Sequence, residues 1–102
     1  MPATSSVLIP EVFSLDQNYP NPFNPSTTIS YGLPEMSQVE LVIYDITGRE
    51  VVTLVSGSQA AGYYKLIWNG RKSSGETIST GLYFARIQAG SYRKVIKMMY
   101  LK

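Results

Sequence analysis

Val39-Glu-Leu-Val-Ile-Tyr-Asp-Ile-Thr-Gly-Arg-Glu-Val51 is the stretch from which the fold can be read. Its first half alternates: Val39, Leu41 and Ile43 share one face of an extended chain, and Val42 and Tyr44 make the other face apolar too. A strand apolar on both faces is predicted to lie inside its sheet rather than at an edge. Asp45-Ile-Thr-Gly48 reads as a tight hairpin turn, with Gly48 supplying a φ > 0 position, and Glu50–Val55 is expected to pair back.

The same short-period pattern continues on both sides. Upstream, Thr27–Leu33 sets Ile29, Tyr31 and Leu33 against Thr28, Ser30 and Gly32, and Gly32-Leu33-Pro34-Glu35 closes the run. Downstream, Ser56–Gly62 reads as a loop and Tyr63–Asn69 as a strand with Tyr64, Leu66 and Trp68 together. Asn69–Thr77 is the longest polar loop of the body. Gly81–Ala89 follows with Tyr83, Ala85 and Ile87 opposite Leu82, Phe84 and Arg86, then the turn Ala89-Gly90-Ser91 and a final strand Tyr92–Leu101. No window sustains a 3.6-residue period with caps, so no helix is expected. About seven antiparallel strands with regular turn signals predict an all-β, immunoglobulin-like β-sandwich.

Ahead of this body, residues 1–12 read as a linker or a remnant of cloning, and residues 13–102 as the domain. Five of the six prolines lie between 10 and 34, densest in Asn18-Tyr-Pro-Asn-Pro-Phe-Asn-Pro25. Proline excludes helix there, so 13–26 is expected to be an ordered, extended or turning lead-in pinned by Phe13, Leu15, Tyr19 and Phe23.

At 102 residues the chain has room for one core, and 44% hydrophobic content suits a globular domain. Nine basic against seven acidic residues give +2, too little for a nucleic-acid or anionic-membrane footprint. With no Cys and no His, thiol nucleophiles, disulfides, Cys/His zinc sites and imidazole acid–base chemistry lack their atoms. No segment reaches the roughly 18 apolar residues of a membrane helix. The N-terminus has no basic region and its apolar run ends at Pro10, so export would rely on a signal elsewhere on a longer chain.

The remaining motifs do not add up to catalysis. Lys72-Ser73-Ser74 lies in a polar loop with nothing to lower the lysine pKa, and Gly70-Arg-Lys-Ser-Ser-Gly75 has the wrong order for a phosphate loop. Asp45 is explained by its turn, and no run clusters carboxylates for calcium. No enzyme activity, cofactor, metal or small-molecule substrate is therefore expected. Among the aromatic residues Trp68 is assigned to the core, while Tyr63, Tyr92 and Tyr100 are freer to be exposed, which suggests a sugar-binding platform as an alternative function. In the last strand, Lys94, Ile96, Met98 and Tyr100 share one face and Arg93, Val95, Lys97, Met99 and Leu101 the other. Both faces mix basic and apolar side chains. The pattern leaves the inward face open, and fits both a lysine-guarded edge and a strand handed to a partner.

Five blocks together resemble a known family. The run Phe13-Ser-Leu-Asp-Gln-Asn-Tyr-Pro-Asn-Pro-Phe-Asn-Pro-Ser-Thr-Thr-Ile-Ser-Tyr-Gly-Leu-Pro34 is similar to the opening of the type A C-terminal sorting domain of the type IX secretion system. The hairpin 39–51, the strand Gly62–Gly70, the block Ser79–Ile87 and the closing strand Ser91–Lys102 follow in the family's order and spacing. The resemblance implies a seven-stranded immunoglobulin-like sandwich that directs an N-terminally fused passenger to the cell surface or medium by way of the periplasm. Its implied partners are an outer-membrane translocon and a sortase-like cysteine peptidase that cuts ahead of Phe13, with the domain a monomer or weak dimer. The recognition residues it implies are Gly81, Tyr83, Lys94, Lys97, Leu101 and Lys102, presented by the last hairpin as an edge. The immunoglobulin-like domain of flagellar hook-capping proteins shares several blocks, which gives a structural or assembly role as a further alternative.

Overall fold

A computed structural model describes residues 9–102, and they form seven strands: β1 Ser14–Leu15, β2 Thr27–Leu33, β3 Ser37–Asp45, β4 Glu50–Gln59, β5 Gly62–Trp68, β6 Gly81–Ala89 and β7 Tyr92–Tyr100. Two antiparallel sheets result, one in the order β1-β2-β5 and the other β4-β3-β6-β7. The described residues contain no helix. The reading of 1–12 as a linker falls outside the described residues for positions 1–8; of the remainder, Pro10 is buried.

The inward faces make one core. Ile29, Tyr31 and Leu33 of β2, Val39, Leu41 and Ile43 of β3, Tyr83, Ala85 and Ile87 of β6 and Ile96, Met98 and Tyr100 of β7 are all buried. The doubly apolar β3 lies between β4 and β6, and Val42, on its outward face, is 2% exposed. Phe23 packs into this core against Trp68 and Tyr100, with ring centroids 5.6 and 5.2 Å away.

Four details depart from the sequence reading. Ser56–Gln59 is strand rather than loop: β3 begins early enough at Ser37 to pair with Gln59, so only Ala60 and Ala61 connect β4 to β5. Tyr19 does not pin the lead-in. Its backbone pairs with Thr28, which turns the side chain onto the solvent face of the sheet at 80% exposure. Tyr100 is buried, because even positions of β7 face inward and Phe23 covers the end of the strand. The polar loop after β5 returns Ile78 to the core at 1% exposure, its amide donating to the Gly70 carbonyl (3.0 Å).

Candidate functional site

The C-terminal hairpin is built by regular pairing of β6 with β7, from Gly81 opposite Tyr100 to Ala89 opposite Tyr92. That register fixes the faces left open by periodicity. Ile96, Met98 and Tyr100 point in, and Val95, Lys97 and Met99 point out beside Arg86, Phe84 and Leu82 of β6. The outward face continues onto Val42 and Tyr44 of β3, with Arg86 lying 5.3 Å over the Tyr44 ring and donating to Glu40 (2.8 Å). The result is an apolar sheet face with Lys97 at its outer margin, where Leu82 and Val95 remain 38% and 54% exposed.

The edge of β7 is not free along its length. The lead-in runs beside it: Gln17 Nε2 donates to the Lys97 carbonyl (2.7 Å), and Asn21 Oδ1 accepts from the Met99 amide (2.9 Å). Phe23 then exchanges two backbone bonds, its amide donating to the Met99 carbonyl (2.9 Å) and its carbonyl accepting from the Leu101 amide (3.2 Å). Asn18 holds the bend from inside, donating to Thr27 Oγ1 (2.9 Å) and to the Pro20 carbonyl (3.2 Å). Gln17, Asn21 and Phe23 thus occupy the second half of the edge that the sequence reading offers to a partner. What the hairpin presents is its outer face and its end.

The implied recognition residues separate into three places. Gly81, Tyr83, Leu101 and Lys102 gather at the end where the hairpin opens. Gly81 has φ of +152°, a backbone available only to glycine, and a Cβ there would meet nothing within 4 Å, so conformation and not space demands the glycine. Tyr83 is 8% exposed and points inward, its hydroxyl donating to the Ser79 carbonyl (2.8 Å) and its ring edge-on to Trp68. Burial raises its pKa. Leu101 is 46% exposed, and the Lys102 amide donates to Thr80 Oγ1 (3.1 Å). Lys97 is exposed midway along the outer face, two positions from Met99, whose backbone Asn21 and Phe23 hold. Lys94, exposed and of inward parity, sits opposite Ile87, about 20 Å of strand from the open end.

A surface cleft of about 210 Å³ opens beside the Gly81 end, lined by Asp45, Ile46, Thr47, Thr80, Leu82 and the two residues Gly81 and Tyr83. Asp45 shapes one wall. Its Oδ1 accepts from Thr47 Oγ1 (2.6 Å), the Thr47 amide (2.9 Å) and the Arg49 amide (3.0 Å), and Oδ2 pairs with Arg49 Nε (3.2 Å). The Thr47 hydroxyl bond, with the amide and guanidinium bonds behind it, holds the carboxyl pKa at about 2. Ile46, 70% exposed at the tip of the β3–β4 turn, was not among the implied residues, although an isoleucine in a polar turn was a visible signal. Among the described residues no three His, Cys, Asp or Glu side chains cluster as metal ligands.

Of the candidate sugar platform, Tyr63 is 64% exposed on the three-stranded sheet, whereas Tyr92 is stacked on Phe13 with centroids 5.3 Å apart.

With this geometry in hand, comparisons with known proteins are informative. The family described as FlgD Ig-like domain matches residues 22–92, from the lead-in through β6 to the first residue of β7. The structure of FlgD from P. aeruginosa is 26% identical, with a TM-score of 0.60 over 93% of this chain and 74% of that one. Dimeric latent PorU from Porphyromonas gingivalis is 22% identical, with a TM-score of 0.66 over 92% of this chain. PorZ, an essential bacterial surface component of the type-IX secretion system of the same organism, is 21% identical, with a TM-score of 0.59 over 88% of this chain. This chain spans 10% and 11% of PorU and PorZ, and at those identities the likeness is one of fold. No curated protein sequence matches the chain.

Proposed function

This chain belongs to the FlgD Ig-like domain family, and from that premise we propose that it is a non-catalytic sorting domain that directs a fused passenger across the outer membrane through the type IX secretion system. The observation that carries this reading is the C-terminal hairpin. It leaves Val95 and Leu82 exposed on an apolar face with Lys97, and sets Leu101 and Lys102 beside the cleft at the Gly81 end. Support comes from the five sequence blocks and from the shared fold with PorZ, a surface component of that system. In this reading an outer-membrane translocon recognises the folded face and hairpin end, and a sortase-like peptidase cuts ahead of Phe13. The buried Tyr83 and the Gly81 backbone maintain the shape of the end, while Lys97, Leu101 and Lys102 make contacts.

The test uses a passenger fused ahead of the domain. Lys97→Glu reverses an exposed charge without touching the core, so the melting curve stays that of the parent while passenger release falls at least about tenfold, the equivalent of about 1.4 kcal/mol of lost recognition. Removal of Leu101 and Lys102 has the same effect. Undiminished secretion by both folded variants contradicts the assignment.

A second reading is favoured by the likeness to FlgD, which extends over 74% of that chain: an assembly module of the hook-cap kind. It predicts binding to a filament subunit or to further copies, with no secretion phenotype for Lys97→Glu.

A further inference from the structure

Main-chain bonding in the three-stranded sheet fixes which residues face its open edge. In an antiparallel pair, opposed residues alternate between exchanging their N–H and C=O groups and turning both away. The lead-in sets the phase. The Tyr19 amide donates to the Thr28 carbonyl (3.0 Å), the Thr28 amide to the Tyr19 carbonyl (2.8 Å) and the Asp16 amide to the Ser30 carbonyl (2.9 Å). Thr28 and Ser30 therefore face the lead-in and β1, while Ile29 and Tyr31 face β5, opposite Leu66 and Tyr64. Tyr63, Lys65 and Ile67 are left with their amides and carbonyls turned away from β2, along the outer edge of β5. Among the described residues these groups have no backbone partner.

The side chains of the same three residues stand on the solvent face. Tyr63 is 64% and Ile67 71% exposed, with Lys65 exposed between them. Among the described residues Lys65 forms no ion pair; those formed are Arg49 with Asp45 and Arg86 with Glu40. Tyrosine and isoleucine favour extended backbone, and β5 pairs with β2 from Gly62 to Trp68 without a register shift. The other edges are blunted. β4 slips register twice against β3, and its Val51 carbonyl accepts from the Ser73 amide (3.1 Å). β7 is bonded by Gln17, Asn21 and Phe23 over its second half. Pro10 lies over Gly32 of β2, and a strand added beyond β5 would lie about 10 Å from that line, two strand spacings away.

We propose that the β5 edge binds an extended segment of a partner protein by strand addition, and that this segment carries a carboxylate between two apolar side chains. Paired antiparallel, alternate residues of the segment exchange main-chain bonds with Tyr63, Lys65 and Ile67 and set their side chains beside these three. The carboxylate then falls opposite Lys65, and the apolar groups opposite Tyr63 and Ile67. A second copy of this chain does not fit that description. Two β5 edges in the register that pairs all three residues place Lys65 against Lys65, and like charges directly opposed are unfavourable. The proposal stands apart from the sorting reading, whose site lies on the other sheet.

The test titrates the 102-residue chain with two end-blocked peptides, Thr-Val-Thr-Glu-Thr-Val-Thr and Thr-Val-Thr-Lys-Thr-Val-Thr. Fluorescence polarisation of labelled peptide reads affinity, and amide hydrogen exchange reads position. The acidic peptide is expected to slow exchange at Tyr63, Lys65 and Ile67, and to bind about tenfold more tightly than the basic one, since an attractive contact replaces a repulsive one. Methylating the backbone nitrogens of its two Val and its Glu abolishes binding, because those are the donors to β5. Lys65→Glu inverts the preference between the peptides, and Lys65→Gln removes it; circular dichroism melting of both variants controls for folding. Absence of binding, equal affinity for the two peptides, or protection at Ser56 and Ser58 of β4 or at Val95 of β7 instead overturns the proposal. Protection of the three β5 amides that grows with protein concentration in the absence of peptide gives the edge to a second copy and also overturns it.

Discussion

The Asp45 carboxylate accepts four bonds within its own turn, and their effect on its acidity makes the hairpin sensitive to acid. Its folded pKa, about 2, lies below the ordinary 3.8, so its contribution is complete above pH 3.8 and is lost as pH falls from there toward 2. Melting temperature is therefore expected to decline across that window, and Asp45→Asn to decline less steeply while starting lower at neutral pH. Tyr83 and Tyr31 have raised pKa values through burial, so their share of stability is present below pH 10 and disappears as alkali ionises them. Gly81 is a residue-scale test of backbone alone. Gly81→Ala meets no neighbour yet must adopt φ near +152°, and is expected to cost about 1–3 kcal/mol in urea unfolding. Phe23→Ala removes a 2%-exposed ring wedged against Trp68 and Tyr100, and a loss of about 3–5 kcal/mol is expected in the same measurement.

One element, the proline-rich lead-in, changes what its neighbour can do. By bonding along the second half of β7 it occupies the backbone groups of Met99 and Leu101, whereas Val95, on the same edge, meets no backbone partner among the described residues. Hydrogen exchange is accordingly expected to be slow at the Met99 and Leu101 amides and fast at Val95. Asn21→Ala should speed Met99 selectively and cost about 1 kcal/mol. Comparable exchange at all three amides would contradict the edge cover. Alternation in the sequence was enough to place β2, β3, β5 and β6, because each has a buried face with period two. The asparagines were legible as local hydrogen-bonders, but Asn21 reaches 78 positions along the chain to Met99, and local pattern carries no record of such a partner. For the same reason the inward face of β7 stayed open: its two faces have similar composition, and only the register with β6 distinguishes Met98 from Lys97. Ser56–Gln59 looked like a loop because its residues are small and polar; strand there depends on the length of β3, a property of the partner.

At the scale of the molecule, the two sheets turn different surfaces outward. The four-stranded sheet exposes an apolar face with Lys97 and ends in the cleft bounded by Asp45 and Gly81; the three-stranded sheet exposes Tyr63, Lys65 and Ile67 of β5, while Pro10 covers Gly32 of β2. The residues implied for recognition all fall on the last hairpin or just beyond it, but the sequence did not separate surface from core among them: Tyr83 is buried, Lys94 lies away from the Gly81 end, and Ile46 lines the cleft from the β3–β4 turn. The sorting function we propose belongs to this whole arrangement, since it requires a folded body that presents the hairpin end. It is tested most directly by secretion of a reporter. Residues 1–102 are placed behind an export signal and a fluorescent protein, in a bacterium with a working type IX system and in its translocon-deficient mutant. The account predicts fluorescence at the surface or in the medium of the first strain and in the periplasm of the second. Retention of the folded fusion in the periplasm of both strains would contradict it.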